Sequence, residues 1–187
     1  MENKLLILGS SSPRRQFLLK EVGFEFSIAK PLEDESFPPD MGIFQVAKYL
    51  AEKKASSIAL SQRNAILITA DTVVILGNKL LNKPQNENEA IEMLKSLSGK
   101  THGVITGVCL MDEEKKMIFD DTTWVTFKNL TQEEIEFYVR KHKPFDKAGA
   151  YGAQDWIGMV AIEKIEGSYF NVMGLPIHKV HQHLMNW

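Results

Sequence analysis

The sequence predicts an α/β fold built on a mixed, twisted sheet with flanking helices. Three observations predict it. Apolar and β-branched runs recur at about 5–9, 24–29, 65–76, 103–111, 117–128, 158–165 and 169–173, each bounded by turn residues. Apolar residues at helical spacing recur at about 13–22, 42–60, 86–97, 131–141 and 175–185. The two kinds intermix without strict alternation, which favours a mixed sheet over a regular doubly wound one. The 187 residues fit one domain, 1–187, and a 44% hydrophobic fraction supports a sizeable core.

Leu5 to Leu8 read as a buried strand. "GSSSPRRQFLLKEVG" follows at residues 9–23. Ser12 suits the N-cap, Pro13 the first helical position and Gly23 the end. A strand, a polar turn and a helix N-terminus form an anion site. Arg14 and Arg15 stand where the helix dipole disfavours cations. They read either as anion ligands or as two solvated arginines. In "PLEDESFPPD", Glu33, Asp34 and Glu35 either hold a hard cation or are simply solvated.

In "GIFQVAKYLAEKKASSIAL", Ile43, Val46, Ala47, Leu50, Ala51, Ala55 and Ile58 share one helical face. Lys54 falls near the middle of that face and Lys53 toward its edge. A lysine there snorkels, loses its proton or meets an anion. Asp71 interrupts the apolar run "AILITADTVVIL". A buried carboxylate demands a cation or several donors, and Thr72 beside it offers a local cap. In "NKLLNKPQ", Lys83-Pro84 closes a loop, where an exposed lysine is ordinary.

"SLSG" ends the third helix, and "MDEEKKM" reads as a hairpin turn. "LTQEEIEFYVRKH" starts a helix on a Thr cap with early acidic residues. "FDKAGAYGAQDW" carries Gly149, Gly152 and the polar Gln154, as either a ligand-facing turn or a plain loop. His178, His181 and His183 lie in a terminal helix and read as exposed residues rather than a metal site. Cys109 is the single cysteine and reads as a small buried hydrophobe.

The net charge of −2 argues against binding nucleic-acid polymers or membrane surfaces. A soluble cytoplasmic protein is expected, since no leader pattern or membrane-length apolar stretch occurs. No "GxxxxGK[ST]", "GxGxxG" or nucleophile elbow is found, which counts against ordinary P-loop NTPases, dehydrogenases and serine hydrolases.

Taken in order, "SSSPRRQFLL", the acidic "EDE" segment, "YLAEKKA", "TADTVV", "NKP", "LSGKTHGVITGV", "FDKAGAYGAQ" and "IEKIEGSYFNVMGLP" resemble the Maf family of nucleoside triphosphate pyrophosphatases. They run from residue 10 to 176. The resemblance implies a fold similar to that of inosine triphosphate pyrophosphatases, with a cleft between two lobes. It implies cleavage of a nucleoside triphosphate to the monophosphate and pyrophosphate with a divalent metal, Mg2+ or Mn2+. By resemblance Asp71 is the proton acceptor, and Glu35 joins it at the metal. Lys54 and Lys83 are the two site lysines, and Ser12, Arg14 and Arg15 line the substrate turn.

In the branch of the family that prefers dTTP and UTP, the specificity positions resemble Arg14, Thr72 and Gln154. Gln154 therefore favours that branch, with modified pyrimidine nucleotides as a further substrate class. Two departures stand out: Ser11 replaces a usual glycine, and Asn82 stands where a glycine often precedes Lys-Pro. The resemblance also implies a homodimer. The rival reading is a non-catalytic nucleotide-binding regulator of septum formation.

Overall fold

A computed structural model describes residues 4–32, 35–58 and 64–187. Glu33 and Asp34, and the expected helix end at 59–60, lie outside the described residues. The chain divides into two compact units. One comprises residues to Thr72, Thr106–Asp121 and Gly174–Trp187; the other comprises Val73–Ile105 and Thr122–Met173.

The first unit begins with β1 (Leu5–Leu8), α1 (Pro13–Glu21), the two-residue β2 (Ser27–Ile28) and α2 (Val46–Ser56). β3 (Ala65–Leu76) starts in this unit and ends in the second. The second unit adds β4 (Lys79–Leu81) and α3 (Glu87–Leu97). β5 (Thr101–Met111) and β6 (Lys116–Phe127) each contribute residues to both units. α4 (Gln132–His142), α5 (Trp156–Ala161), β7 (Ile162–Glu166) and α6 (Tyr169–Val172) complete the second unit, and α7 (Ile177–Met185) the first.

The strands form a mixed seven-stranded sheet in the order β2-β1-β3-β5-β6-β7, with β4 on β3. β1 runs parallel to β2 and to β3, with Leu5 opposite Ala65 and Leu8 opposite Ile68. β3–β4 and β6–β7 are antiparallel. This is the mixed α/β architecture that the irregular order of elements predicts. No described helix is long and apolar enough to cross a membrane.

In the first unit α2 buries Val46, Ala47, Leu50, Ala51 and Ala55, the face its periodicity marks. It lies directly on β5: a Cβ at Gly107 would come within 2.3 Å of the Ala47 backbone. The Thr69 hydroxyl of β3 donates to the Ala51 carbonyl at 2.6 Å and pins the helix to the sheet. Ile7, Leu67 and Cys109 pack beneath it, and burial pushes the Cys109 thiol up to about 11, so it stays protonated. At the hairpin between β5 and β6 the Asp112 carboxylate accepts from the Glu114 and Lys115 N–H groups. It also takes Lys4 Nζ at 2.6 Å and the Trp187 indole N–H at 2.7 Å, fastening both ends of the described chain to the turn.

The second unit has its own core, with Leu94, Leu97, Phe127, Ile135, Tyr138 and Tyr151 fully or almost fully buried. α4 starts on a complete capping box between Thr131 and Glu134, and Asn86 caps α3 through the Glu89 N–H.

Two expected strands are corrected. Residues 158–165 split into the end of α5 and most of β7, and 169–173 holds the helical turn α6. A short apolar run does not by periodicity choose between strand and buried helix. In the first case Gly158 decides: a Cβ there would lie 2.0 Å from the Ala153 carbonyl, so α5 turns back on its own approach. In the second, Ser168 caps the Asn171 N–H and winds an aromatic, β-favouring sequence into a turn of helix. The expected strand at 24–29 shrinks to β2, and β4 is an addition.

Candidate active site

Asp71 lies in β3, in the middle of the apolar run, and is 6% exposed. Its partner is the lysine that breaks the α2 apolar face: the Lys54 ammonium donates to Asp71 Oδ1, with its side chain only 12% exposed. Glu35 Oε1 lies 3.3 Å from the same ammonium. Three charges read separately from the sequence therefore meet: one cation between two carboxylates. Lys53, at the edge of the face, instead reaches Ser36 through its carbonyl and hydroxyl.

The turn after β1 is built on Ser10 and Arg15. Ser12 takes the N-cap position of α1 and Pro13 opens the helix, but the Ser12 side chain makes no capping bond. Ser10 is buried, and its hydroxyl accepts from the Ser12 N–H at 3.2 Å and from Arg15 Nη1 at 3.3 Å. Arg15 also donates to the carbonyls of Ala70 and Gly174, each at 2.8 Å, and to the Thr72 hydroxyl at 3.1 Å. Four of the five guanidinium donors are thus used within the chain. They hold the residues on both sides of Asp71. Burial lowers the Arg15 pKa, the Asp71 and Glu35 charges raise it, and Arg14 lowers it further.

The Thr72 hydroxyl meets Thr106 Oγ1 at 2.9 Å and the Gly174 carbonyl at 3.4 Å besides Arg15. One donor and two lone pairs match three partners. Ser11 is not among the non-glycine residues with positive φ, so serine takes the usual glycine's place without strain.

Lys83 and Gln154 belong to the second unit. The Asn82 carbonyl, next to Lys83, accepts the Gly149 N–H at 3.2 Å and ties the two segments together. This bond uses only backbone, and Asn82 has no positive φ, so the position does not call on glycine's conformational freedom. Gln154 Oε1 is buried and has no hydrogen-bond partner among the described residues. A buried amide oxygen in that condition is a ready acceptor for an N–H.

The α7 histidines do not converge. His178 is near Asp121, His181 packs on Phe24 and His183 on Phe119. Among the described residues no three His, Cys, Asp or Glu side chains are grouped to hold a metal.

The model of the family described as Maf-like protein matches residues 5–187. The chain belongs to the Maf family. It is similar to three bacterial proteins named dTTP/UTP pyrophosphatase. That of Flavobacterium johnsoniae is 45% identical over 96% of this chain and 93% of its own. That of Porphyromonas gingivalis is 44% identical over 97% and 94%, and that of Bacteroides thetaiotaomicron 45% over 96% and 94%.

Within this Maf chain, the structure brings together Glu35, Lys54 and Asp71, and joins Arg15 to Thr72. Ser10 is the residue the sequence reading missed. Nothing separates three consecutive serines until the turn shows which hydroxyl points inward. Arg15 carried a usable signal, since it lies three and four residues before Leu18 and Leu19, the buried residues of α1.

Proposed function

We propose that this chain is a metal-dependent nucleoside triphosphate pyrophosphatase that splits dTTP and UTP into the monophosphate and pyrophosphate. The Asp71–Lys54–Glu35 cluster beside the Arg15-held turn carries the reading. The names of relatives matched over nearly the whole chain support it.

Asp71 and Glu35 present carboxylate oxygens to one cationic atom, a donor set that suits Mg2+ or Mn2+. A divalent ion held by them would neutralise phosphate oxygens and make a bound water more acidic. Asp71 orients the attacking water and takes its proton at a carboxylate oxygen. Lys54, Lys83 and Arg14 stabilise charge on the departing pyrophosphate, and the N-terminus of α1 adds its dipole. Arg15 keeps Asp71 and Thr72 in place through its bonds to Ala70 and Thr72. The Gln154 amide oxygen takes the N3–H of uracil or thymine, and its NH2 group gives to O4.

The test is phosphorus NMR of dTTP and UTP turnover with Mg2+. Pyrophosphate is expected as the first phosphorus product beside the monophosphate. EDTA should stop the reaction and added Mg2+ restore it. Orthophosphate as first product sinks the assignment, and tight nucleotide binding without turnover would restore the regulator reading.

A further inference from the structure

Gln154 is one residue of a segment that is held on both flanks by groups outside the cluster described above. On its N-terminal side Tyr151 is buried, and its hydroxyl lies 2.7 Å from His102 Nε2. Phe127 packs edge-on against both rings. On its C-terminal side the Tyr138 hydroxyl donates to Asp155 Oδ2 at 3.0 Å, and Lys147 Nζ lies 3.7 Å from the same oxygen. Tyr138 is fully buried on α4.

The backbone between is equally constrained. Gly149 and Ala150 both have positive φ, +69° and +60°, and Ala150 holds this conformation despite its Cβ. Gly152 leaves the room that Asp155 and Lys147 fill: a Cβ there would lie 2.7 Å from Asp155 Oδ2 and 3.2 Å from Lys147 Cε. The Gly152 carbonyl accepts the Asp155 N–H at 3.0 Å, so residues 152–155 form a closed turn with Gln154 in it.

An amide that turns over exchanges its donor and acceptor, and so fits cytosine as well as uracil. Selection between them requires a fixed amide, and a fixed amide requires a fixed turn. We propose that His102, Tyr138 and Lys147 are positioning residues that fix the Gln154 turn through Tyr151 and Asp155, and thereby set the preference for uracil and thymine over cytosine. This rests on Gln154 reading the base.

The groups have the protonation states this requires. Burial pushes the Tyr138 and Tyr151 hydroxyls upward, aided at Tyr138 by Asp155, so both remain protonated. Burial lowers His102 to about 4, so it is neutral.

The test compares Tyr138→Phe, Lys147→Met and Gln154→Ala with the unaltered protein. Steady-state kinetics are measured on dTTP, UTP and CTP, and the Gln154 side-chain amide is followed by 15N NMR. Tyr138→Phe removes one hydrogen bond, and about a fivefold fall in the dTTP-to-CTP ratio of kcat/KM is expected. The KM for dTTP should rise by more than kcat falls. The Gln154 amide signals should shift and narrow toward those of a mobile side chain. Lys147→Met should act in the same direction and serves if Tyr138→Phe does not fold. If Gln154→Ala lowers the dTTP-to-CTP ratio while neither flank variant does, the positioning role is overturned and the base reading stands. If Gln154→Ala leaves the ratio unchanged, the base reading fails and the proposal with it. Loss of thermal stability with an unchanged ratio and unchanged Gln154 amide signals marks the flanks as merely structural and also overturns it.

Discussion

At the scale of single residues, the ions that break apolar patterns are the ones that meet. Asp71 in a buried strand and Lys54 on a buried helical face each need an opposite charge, and each is the other's partner. Asp71→Asn keeps the shape and removes the charge. It should lower turnover by at least about 10²- to 10⁴-fold, the contribution of an acid–base group, while circular dichroism stays native. Near-normal kcat at saturating Mg2+ and dTTP would show Asp71 to be structural. If Gln154 reads the base as proposed, Gln154→Glu replaces the amide donor to O4 by a carboxylate. An unpaired buried acceptor costs about 1–3 kcal/mol, or roughly 5- to 150-fold in kcat/KM, with dTTP and UTP. CTP should lose less, because its amino group pairs with the new carboxylate. Equal losses on all three nucleotides would make Gln154 a packing residue. Asp71 and Lys54 were legible in the sequence because a charge in an apolar pattern is costly. The orphaned Gln154 oxygen and the inward Ser10 were not, since both depend on how a turn closes.

At the scale of elements, legibility followed the length of the pattern. Helices α2, α3 and α4 lie within or close to the segments that their periodicity and caps indicate, and the long strands β3, β5 and β6 lie close to theirs. The segments around α5 and α6 depart from their strand-like pattern because close neighbours decide them: Gly158 against Ala153, and Ser168 over Asn171. The same kind of contact seats α2, the helix that carries Lys54. α2 approaches β5 so closely at Gly107 that there is no room for a side chain. Gly107→Ala must push back the Ala47 backbone, which is not a flexible neighbour. We expect a loss of about 1–3 kcal/mol in urea unfolding, the usual cost of overpacking. Lys54 stands two turns along the same helix, so dTTP turnover measured well below the unfolding midpoint should fall as well. A stable Gly107→Ala protein with full activity would show that the close approach is incidental to the site.

At the scale of the whole molecule, acid stability depends on which groups change their protonation on unfolding. Burial holds His102 at about 4, against 6.5 in the open chain. The unfolded state therefore binds the extra proton first. His102 supports the fold fully above pH 6.5, and this support is lost as pH falls toward 4. At 1.36 kcal/mol per pKa unit the loss is about 2 kcal/mol at pH 5 and about 3 kcal/mol below pH 4. The carboxylates with lowered pKa act in a different window. Burial alone would raise Asp112, but bonds from Lys4, Trp187 and two backbone N–H groups hold it well below 3.8. Glu134, bonded by Lys128, and Glu136, bonded by Gln132, also lie below their ordinary 4.5. Their support is present above those ordinary values and is lost only in stronger acid. Cys109, Tyr138 and Tyr151 are shifted upward and matter only in alkali. Urea unfolding at pH 7.5 and pH 5.0 therefore isolates His102 among the shifted groups. The unaltered protein should lose about 2 kcal/mol between the two, and His102→Gln, whatever its stability at pH 7.5, should lose correspondingly less. An equal loss in both proteins would mean that His102 takes no proton on unfolding in this range, and that its neutral state in the core does not govern the response to acid.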